Sequence, residues 1–298
     1  MAGARRIVSL LPSATEIVCA LGLEESLVGI THECDYPPSV RAKPVLTASV
    51  LSGSGSSREI DRHIRGLVHE GSSIYRLDAD RLDALHPDLI LTQELCEVCA
   101  VSYPIVEQAV RRSDDGAQLV SLEPESLDDV FRTIDAVGRL TERAEQAAQL
   151  VRELRQRVAA VSQALDGRPR RPVVCLEWVE PLFSCGHWTP ELVSHAGGHE
   201  LLGIPGQPAR PVALSTLAAL RPEVVVVMAC GFGLERSLEE VRRATTLGEL
   251  AAELWVVDGN AYFSRPGPRL VDSVEILAGI LHPEVIDAPA VDAATRLR

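Results

Sequence analysis

Three features that are scarce or missing in this chain of 298 residues restrict what it can do. No apolar run approaches the roughly 20 residues that a membrane-spanning helix needs. Lys and Arg do not cluster outside Arg168–Arg171, and the formal net charge is −13, which argues against nucleic acid as a partner. Aromatic residues make up only 4% of the chain. The composition therefore predicts a globular protein that neither spans a membrane nor binds nucleic acid.

Enzyme signatures are also missing. The sequence contains no G-x-S-x-G, no H-E-x-x-H and no phosphate-binding G-x-x-x-x-G-K-[ST]. The Gly/Ser-rich segment Ser49–Ser57 lacks the glycine spacing of a phosphate cradle, so a linker is the better interpretation. We therefore expect a protein that is not an enzyme.

Seven cysteines, an odd number in a long chain, do not resemble a disulfide framework. The N-terminus has two arginines followed by apolar residues, but Pro12 and Glu16 interrupt any signal-peptide core. These features favour a cytoplasmic location, or a periplasmic one if the true start of the protein lies upstream.

A repeated phrase supplies the architecture. Leu82–Leu91 has the sequence LDALHPDLIL and Leu217–Val226 has LAALRPEVVV. In each, a short helix ends at a proline and a buried strand follows. Two such units predict an α/β protein with two similar lobes, built on mostly parallel sheets, with a ligand-binding crevice between them.

The domain boundaries follow from helix signals. Ser13-x-x-Glu16 and Ser126-x-x-Asp129 are predicted capping boxes, and Thr189 is a predicted helix cap followed by Pro190. Apolar residues at helical spacing predict one long amphipathic helix over Thr141–Leu165. We expect four parts: an N-terminal lobe over residues 1–122, a connecting helical segment over 123–168, a C-terminal lobe over 169–288, and a frayed tail over 289–298.

The segment Ile7–Pro38 resembles the opening of the cobalamin-binding proteins that feed vitamin B12 importers, which belong to the helical-backbone periplasmic-binding-protein superfamily. The segments LDALHPDLILT, PLFSCGHW, AGGHELLG and Val256–Leu277 carry the same resemblance in the same order. The resemblance implies two α/β lobes joined by one long backbone helix, with the ligand in the cleft between them. Departures are the missing export signal, a longer Ser52–Leu77 segment and a Cys pair within Leu95–Ser102.

Candidate ligand-binding residues are mostly aromatic and lie in loops after strands. Tyr36 lies where the family's ligand-facing aromatic is found, although it could instead pack on Pro37 and Pro38. The loops after the first strand and near the last helix of the second lobe add Trp178, Phe183, Trp188, Tyr262, Phe263 and Arg265. The alternatives are a hydrophobic plug for the tryptophan loop and a turn set by Pro266-Gly267-Pro268 for the last three.

Cysteines give a second set of candidates. Cys96 and Cys99 form C-x-x-C, and Cys230 follows the second repeat, so these thiols could contact a corrin cobalt, a haem iron or a bound metal. The alternatives are inert buried thiols or a redox-active pair. Cys19 and Cys175 are predicted to pack in the core.

We expect the chain to bind cobalamin or a related corrinoid, either as the substrate-binding protein of an ABC transporter or as a cytosolic carrier. An ABC transporter permease is then the expected protein partner. Two alternatives stay open: an iron-chelate or haem carrier, and a cytosolic enzyme that uses cysteines to act on a metal or a corrinoid.

Overall fold

The structure is a computed structural model that describes residues 6–50, 55–69, 74–93, 103–112, 116–244, 247–248 and 250–298. The α-helices are α1 Pro12–Ala20, α2 Ser57–His69, α3 Ala79–Ala84, α4 Tyr103–Arg112, α5 Leu127–Leu140, α6 Ala144–Ala164, α7 Thr189–His195, α8 Leu214–Leu220, α9 Leu234–Arg243 and α10 Leu270–Leu281. The strands are β1 Ile7–Ser9, β2 Leu27–Ile30, β3 Thr47–Ser49, β4 Tyr75–Leu77, β5 Leu89–Thr92, β6 Gln118–Ser121, β7 Arg171–Trp178, β8 Phe183–Ser184, β9 Gly198–Glu200, β10 Val224–Val227, β11 Glu253–Val257 and β12 Ala294–Arg296.

The chain forms two compact units. The first contains residues 1–55, 62–124 and 131–151, and the second contains residues 56–61, 125–130 and 152–298. The boundary between them falls within the long helix α6 and also separates the first residues of α2 from the rest of that helix. The predicted α/β class is confirmed, because each unit is built around its own mostly parallel sheet.

The sheet of the first unit has the order β2-β1-β5-β6, and all of its pairs are parallel. A short antiparallel pair, β3 with β4, accompanies it. The core on one side of the sheet consists of Val8, Leu10, Leu46, Leu82, Ile90 and Val106. Short strands that are buried on both faces need such continuous aliphatic runs, and Leu89–Thr92 supplies one.

The sheet of the second unit has the order β12-β11-β10-β7-β8, and β9 also pairs with β7. Strands β9, β7, β10 and β11 run parallel, whereas β8 and β12 are antiparallel to their neighbours. All four valines of β10 are fully buried or nearly so. Burying a valine side chain contributes roughly 1.5 kcal/mol or more, so this strand is a major source of stability for the unit.

The repeated phrase occupies the same place in both units. Its first copy forms α3 and β5, and its second forms α8 and β10. His86 and Arg221, the residues before the two prolines, both adopt left-handed backbone conformations, with φ of 42° and 50°. Strand β5 then pairs with β1, and β10 pairs with β7, so each copy delivers a strand beside the first strand of its sheet.

Several local predictions are corrected by the structure. Helix α1 begins at Pro12 with Leu11 as its N-cap and no side-chain cap, because Ser13 already lies inside the helix as its second residue. Helix α7 has Trp188, and not Thr189, at its N-cap. The capping box of α5 is confirmed, since Asp129 N–H donates to Ser126 Oγ at 3.1 Å and Ser126 N–H donates to Asp129 Oδ2 at 3.0 Å.

The long helix and the tail also differ from expectation. Helix α6 begins at Ala144, because Thr141 closes the preceding helix by donating its hydroxyl to Val137 O at 2.7 Å. The tail predicted to fray instead forms β12, which pairs with β11, and Ala293 and Ala294 are buried. That prediction was wrong because the periodicity of a three-residue edge strand is too short to detect.

Candidate functional site

The loop after β2 exposes the ring of Tyr36, while the buried residues Cys34 and Thr47 hold the loop in place. Thr47 fixes the start of the loop: its Oγ1 accepts the His32 N–H at 3.1 Å and lies 2.7 Å from Thr31 Oγ1. Cys34 is 5% exposed, and its Sγ lies 3.0 Å from Thr15 Oγ1. Tyr36, two residues on, is 44% exposed. The loop is therefore held from below while the Tyr36 ring keeps nearly half of its surface available to another molecule.

The parallel strands of the second unit end at one edge of the sheet, where the residues after β7, β10 and β11 collect. After β7, the chain adds β9 along one edge of that strand and then returns to add β10 along its other edge. A topological switch point therefore lies between β7 and β10. In open α/β sheets, ligands bind outside the carboxyl ends of the strands at such points. This edge is the best candidate binding surface of the second unit.

An aromatic pair occupies that switch point. The rings of Trp178 and Phe232 have centroids 4.9 Å apart at 49°. The indole N–H donates to Glu180 O at 3.1 Å and to Ser57 O at 3.2 Å, and the Arg236 guanidinium carbon lies 3.9 Å from the Phe232 ring centroid. Phe232 was missed in the sequence, although a scarce aromatic residue after a buried strand in Gly231-Phe232-Gly233 is a usable signal.

The predicted ligand-binding residues of the second unit divide by exposure. Trp178, Phe183 and Tyr262 are half-buried. Trp188, Phe263 and Arg265 are 8%, 3% and 4% exposed. Trp188 also donates its indole N–H to Phe263 O at 3.0 Å, and this buried hydrogen bond links the loop after β8 to the segment after β11. Burial of these three residues favours the packing alternative for them, and the half-buried three remain candidates for ligand contact.

Tyr262 borders a cavity of about 550 Å³ between α10 and the segment that leads to β12. Asp272 and Glu275 form its acidic wall, and both are bound by Arg157 of α6 at 2.6 and 2.7 Å. Burial raises the pKa of Tyr262, so its phenol stays protonated at neutral pH. The cavity thus offers a neutral hydroxyl beside carboxylates whose charge Arg157 offsets.

His187 lies in the loop between β8 and α7, with a left-handed backbone at φ 46° and its ring stacked on Trp188 at 5.6 Å. Burial lowers the pKa of His187, and the charge of Glu125 opposes this shift only in part. The imidazole is therefore neutral at pH 7, and its buried Nδ1 accepts or donates no hydrogen bond among the described residues.

Only one of the predicted metal-binding cysteines, Cys230, lies within the described residues, so their grouping stays a prediction. Cys96 and Cys99 lie outside those residues. Cys230 follows β10 as a partly exposed free thiol. The grouping that the described part of the chain does contain is a different one, Cys175, Cys185 and Glu200. Sequence reasoning assigned Cys175 to the core and could not foresee this neighbour, because the pairing of β7 with β8 is not visible in periodicity.

Two mostly parallel sheets with loops at the carboxyl ends of their strands define an α/β protein of the kind that binds ligands at that edge. The chain belongs to the periplasmic binding protein family, whose model matches residues 7–252. This family consists of substrate-binding proteins of the periplasm. Among the helices of the described ranges, none is both long and apolar enough to cross a membrane.

Two curated relatives are 25% identical to the chain over 278 residues, covering 90% of it and 83% of each relative. They are the vitamin B12-binding proteins of Yersinia pestis and Yersinia pseudotuberculosis. This similarity extends over both structural units.

Solved structures share the fold at lower identity. A periplasmic heme-binding protein from Pseudomonas aeruginosa is 20% identical with a TM-score of 0.73, covering 98% of this chain and 97% of the other. The periplasmic vitamin B12-binding protein of Vibrio cholerae is 20% identical with a TM-score of 0.65, covering 93% and 96%. At these identities the likeness establishes the two-lobed α/β fold of such proteins.

Proposed function

We propose that the chain binds cobalamin or a related corrinoid and has no catalytic role. The similarity to curated vitamin B12-binding proteins over 90% of the chain carries this proposal. The heme-binding structural relatives share the fold at identities too low to indicate the ligand.

Tyr36 is the residue of the first unit that we assign to the ligand. Its ring is 44% exposed while the loop beneath it is fixed by Thr47 and Cys34. A flat, rigid aromatic face in a pre-ordered loop can cover the corrin ring or the nucleotide base at a low entropic cost. In the second unit we assign the same role to the half-buried rings of Trp178, Phe183 and Tyr262, which follow or border the strand ends.

Trp188, Phe263 and Arg265 then act indirectly in this proposal. Their burial, and the hydrogen bond from Trp188 to Phe263 O, hold the loops after β8 and β11 in one arrangement. A pre-ordered loop loses less entropy on binding than a mobile one, so these residues contribute to affinity through positioning.

Titration with cyano-, hydroxo- and methylcobalamin, followed by visible absorption and calorimetry, tests the proposal. We expect saturable binding of at least one of the three with one ligand per chain. Neither heat nor spectral change with any of them contradicts the proposal. Saturable binding of haemin or a ferric chelate in the same assay, with no response to cobalamin, would assign the chain to the alternative ligand class.

An ABC transporter permease is the partner that we propose for the loaded protein. Co-purification with a candidate permease co-expressed with the chain, enhanced by cobalamin, would support this assignment. A carrier that acts without a transporter would show no such enhancement.

A further inference from the structure

Two cysteines face each other across the antiparallel pair β7–β8. The register places Leu176 opposite Ser184, so Cys175 lies opposite Cys185, and the Cys185 N–H donates to Cys175 O at 3.0 Å. Their exposed fractions are 0% and 1%. Two thiols on directly opposed residues lie on the same side of the sheet, where they can act on one bound atom.

A carboxylate completes the group. The two sulfur atoms and a carboxylate oxygen of Glu200, the last residue of β9, all lie within 4.8 Å of one another. Glu200 Oε2 accepts the Cys175 N–H at 2.9 Å, and Oε1 accepts the N–H groups of Leu202 and Gly203 at 3.0 and 3.1 Å. Three N–H bonds fix its orientation, and the Cys175 thiol hydrogen-bonds to the same carboxylate. A bound cation would take the place of that thiol proton.

The partners of Glu200 among the described residues are three backbone N–H groups and the Cys175 thiol. Burial raises the pKa of Glu200, and the backbone hydrogen bonds counter this shift only in part. Burial likewise raises the pKa of Cys175 to about 11 and that of Cys185 well above its ordinary value. The geometry is therefore that of two sulfur ligands and one carboxylate ligand gathered around a single point in the interior.

The backbone at Gly203 leaves room for the sulfur atom of Cys185. A Cβ atom added to Gly203 would lie 2.3 Å from Cys185 Sγ, so only glycine allows the sulfur its position. The same Gly203 donates its N–H to Glu200, which places the thiol and the carboxylate on either side of one residue.

We propose that Cys175, Cys185 and Glu200 form a binding site for a thiophilic divalent cation of the zinc group. Two thiolates and one carboxylate are a donor set that such ions accept, with the fourth position of a tetrahedral ion left to water. On binding, each thiol transfers its proton to solvent while its sulfur bonds the metal, so two protons leave per ion and no electron is transferred. Glu200 favours this role over a Cys175–Cys185 disulfide, because a carboxylate is a third ligand for a cation and has no function in an S–S bond.

The test uses the reduced full-length chain in a Cys96→Ser/Cys99→Ser background, which removes the other cysteine pair. Titration with Cd²⁺ and Zn²⁺, with chelator competition, measures affinity, and thiolate-to-cadmium charge-transfer absorption in the ultraviolet reports the sulfur ligands. We expect one ion per chain, release of about two protons per ion, and a rise in Tm on binding.

Cys185→Ser should weaken Cd²⁺ binding by more than about 100-fold, since losing even an outer partner of a metal ligand costs about 10- to 100-fold. Glu200→Gln, which keeps both thiols, should weaken binding and retain the charge-transfer absorption. Cys230→Ser is the matched control and should bind as the background chain does. Circular dichroism establishes that each variant is folded.

Binding that is unchanged in Cys185→Ser, or no rise in Tm with either ion, overturns the proposal. So does a chain whose Cys175 and Cys185 resist alkylation after unfolding without reductant and react after reduction, because that result identifies a disulfide. This outcome does not depend on cobalamin binding, because the proposed function assigns cobalamin to other residues and tests it with a different ligand.

Discussion

Trp178, the last residue of β7, packs on Phe232, which follows the neighbouring strand β10, with ring centroids 4.9 Å apart. The pair lies at the topological switch point of the sheet in the second unit, and Trp178 is half-buried there, so part of its ring surface is exposed. Phe232 is 4% exposed and packs against the Trp178 ring.

Phe232→Ala should destabilise the protein by about 3–5 kcal/mol, because it removes a buried ring and leaves a cavity beneath Trp178. Urea unfolding monitored by tryptophan fluorescence measures the change. Phe232→Leu, which keeps most of the volume, is the control and should cost less than about 1.5 kcal/mol. Equal effects of the two substitutions would show that the packing is not specific.

Gly259 allows the chain after β11 to approach the chain after β10. An added Cβ would lie 2.3 Å from Ala229 O and 2.7 Å from Met228 C, both of them backbone atoms. Gly259→Ala should therefore destabilise the protein by about 1–3 kcal/mol in thermal or urea unfolding. Gly66→Ala is the matched control: no atom lies within 4 Å of its added Cβ, and as a helix residue it should gain about 0.5–1 kcal/mol. A neutral Gly259→Ala would contradict the close approach.

Glu253 should make stability depend on acid pH. Burial by itself would raise the pKa of Glu253, but the hydrogen bond and charge of Arg171, 2.7 Å away, and the charge of Arg296 hold it below the ordinary 4.5. Because the folded pKa is the lower one, the contribution is fully present above about pH 4.5 and is lost as pH falls through the folded value. We expect the difference in unfolding free energy between wild type and Glu253→Gln to shrink from pH 6 to pH 3; a constant difference would refute this.

Trp188 should behave as a packing residue and not as a ligand contact. Trp188→Phe removes the N–H that Phe263 O accepts at 3.0 Å, and an unpaired buried carbonyl costs about 1–3 kcal/mol. We therefore expect lower stability in urea unfolding. Cobalamin affinity should fall together with stability, because the loop becomes less ordered. Unchanged stability with lost affinity would instead return Trp188 to direct ligand contact.

The sequence predicted the α/β class and the repeated helix–strand unit, because buried aliphatic runs and proline-terminated helices are local signals. It failed at α1, where Ser13 is buried and caps nothing, and at β12, whose three residues carry no detectable period. It also failed to distinguish Tyr36 from Trp188. Both are aromatic residues in loops after strands, and exposure, which depends on the packing of distant segments, separates them. The partners of Cys175 were hidden for the same reason.

Calorimetric titration of wild type and Tyr36→Ala with the cobalamin form that binds best tests the central claim most directly. The account predicts one ligand per wild-type chain. It also predicts at least about tenfold weaker binding by Tyr36→Ala, since the variant loses the ring's buried apolar area as well as the roughly 0.5–1.5 kcal/mol of the aromatic contact. Tyr36→Phe should bind nearly as wild type does, and all three chains should unfold within about 0.5 kcal/mol of one another. Wild-type protein that binds no cobalamin, or Tyr36→Ala that binds it as tightly as wild type, would contradict the account.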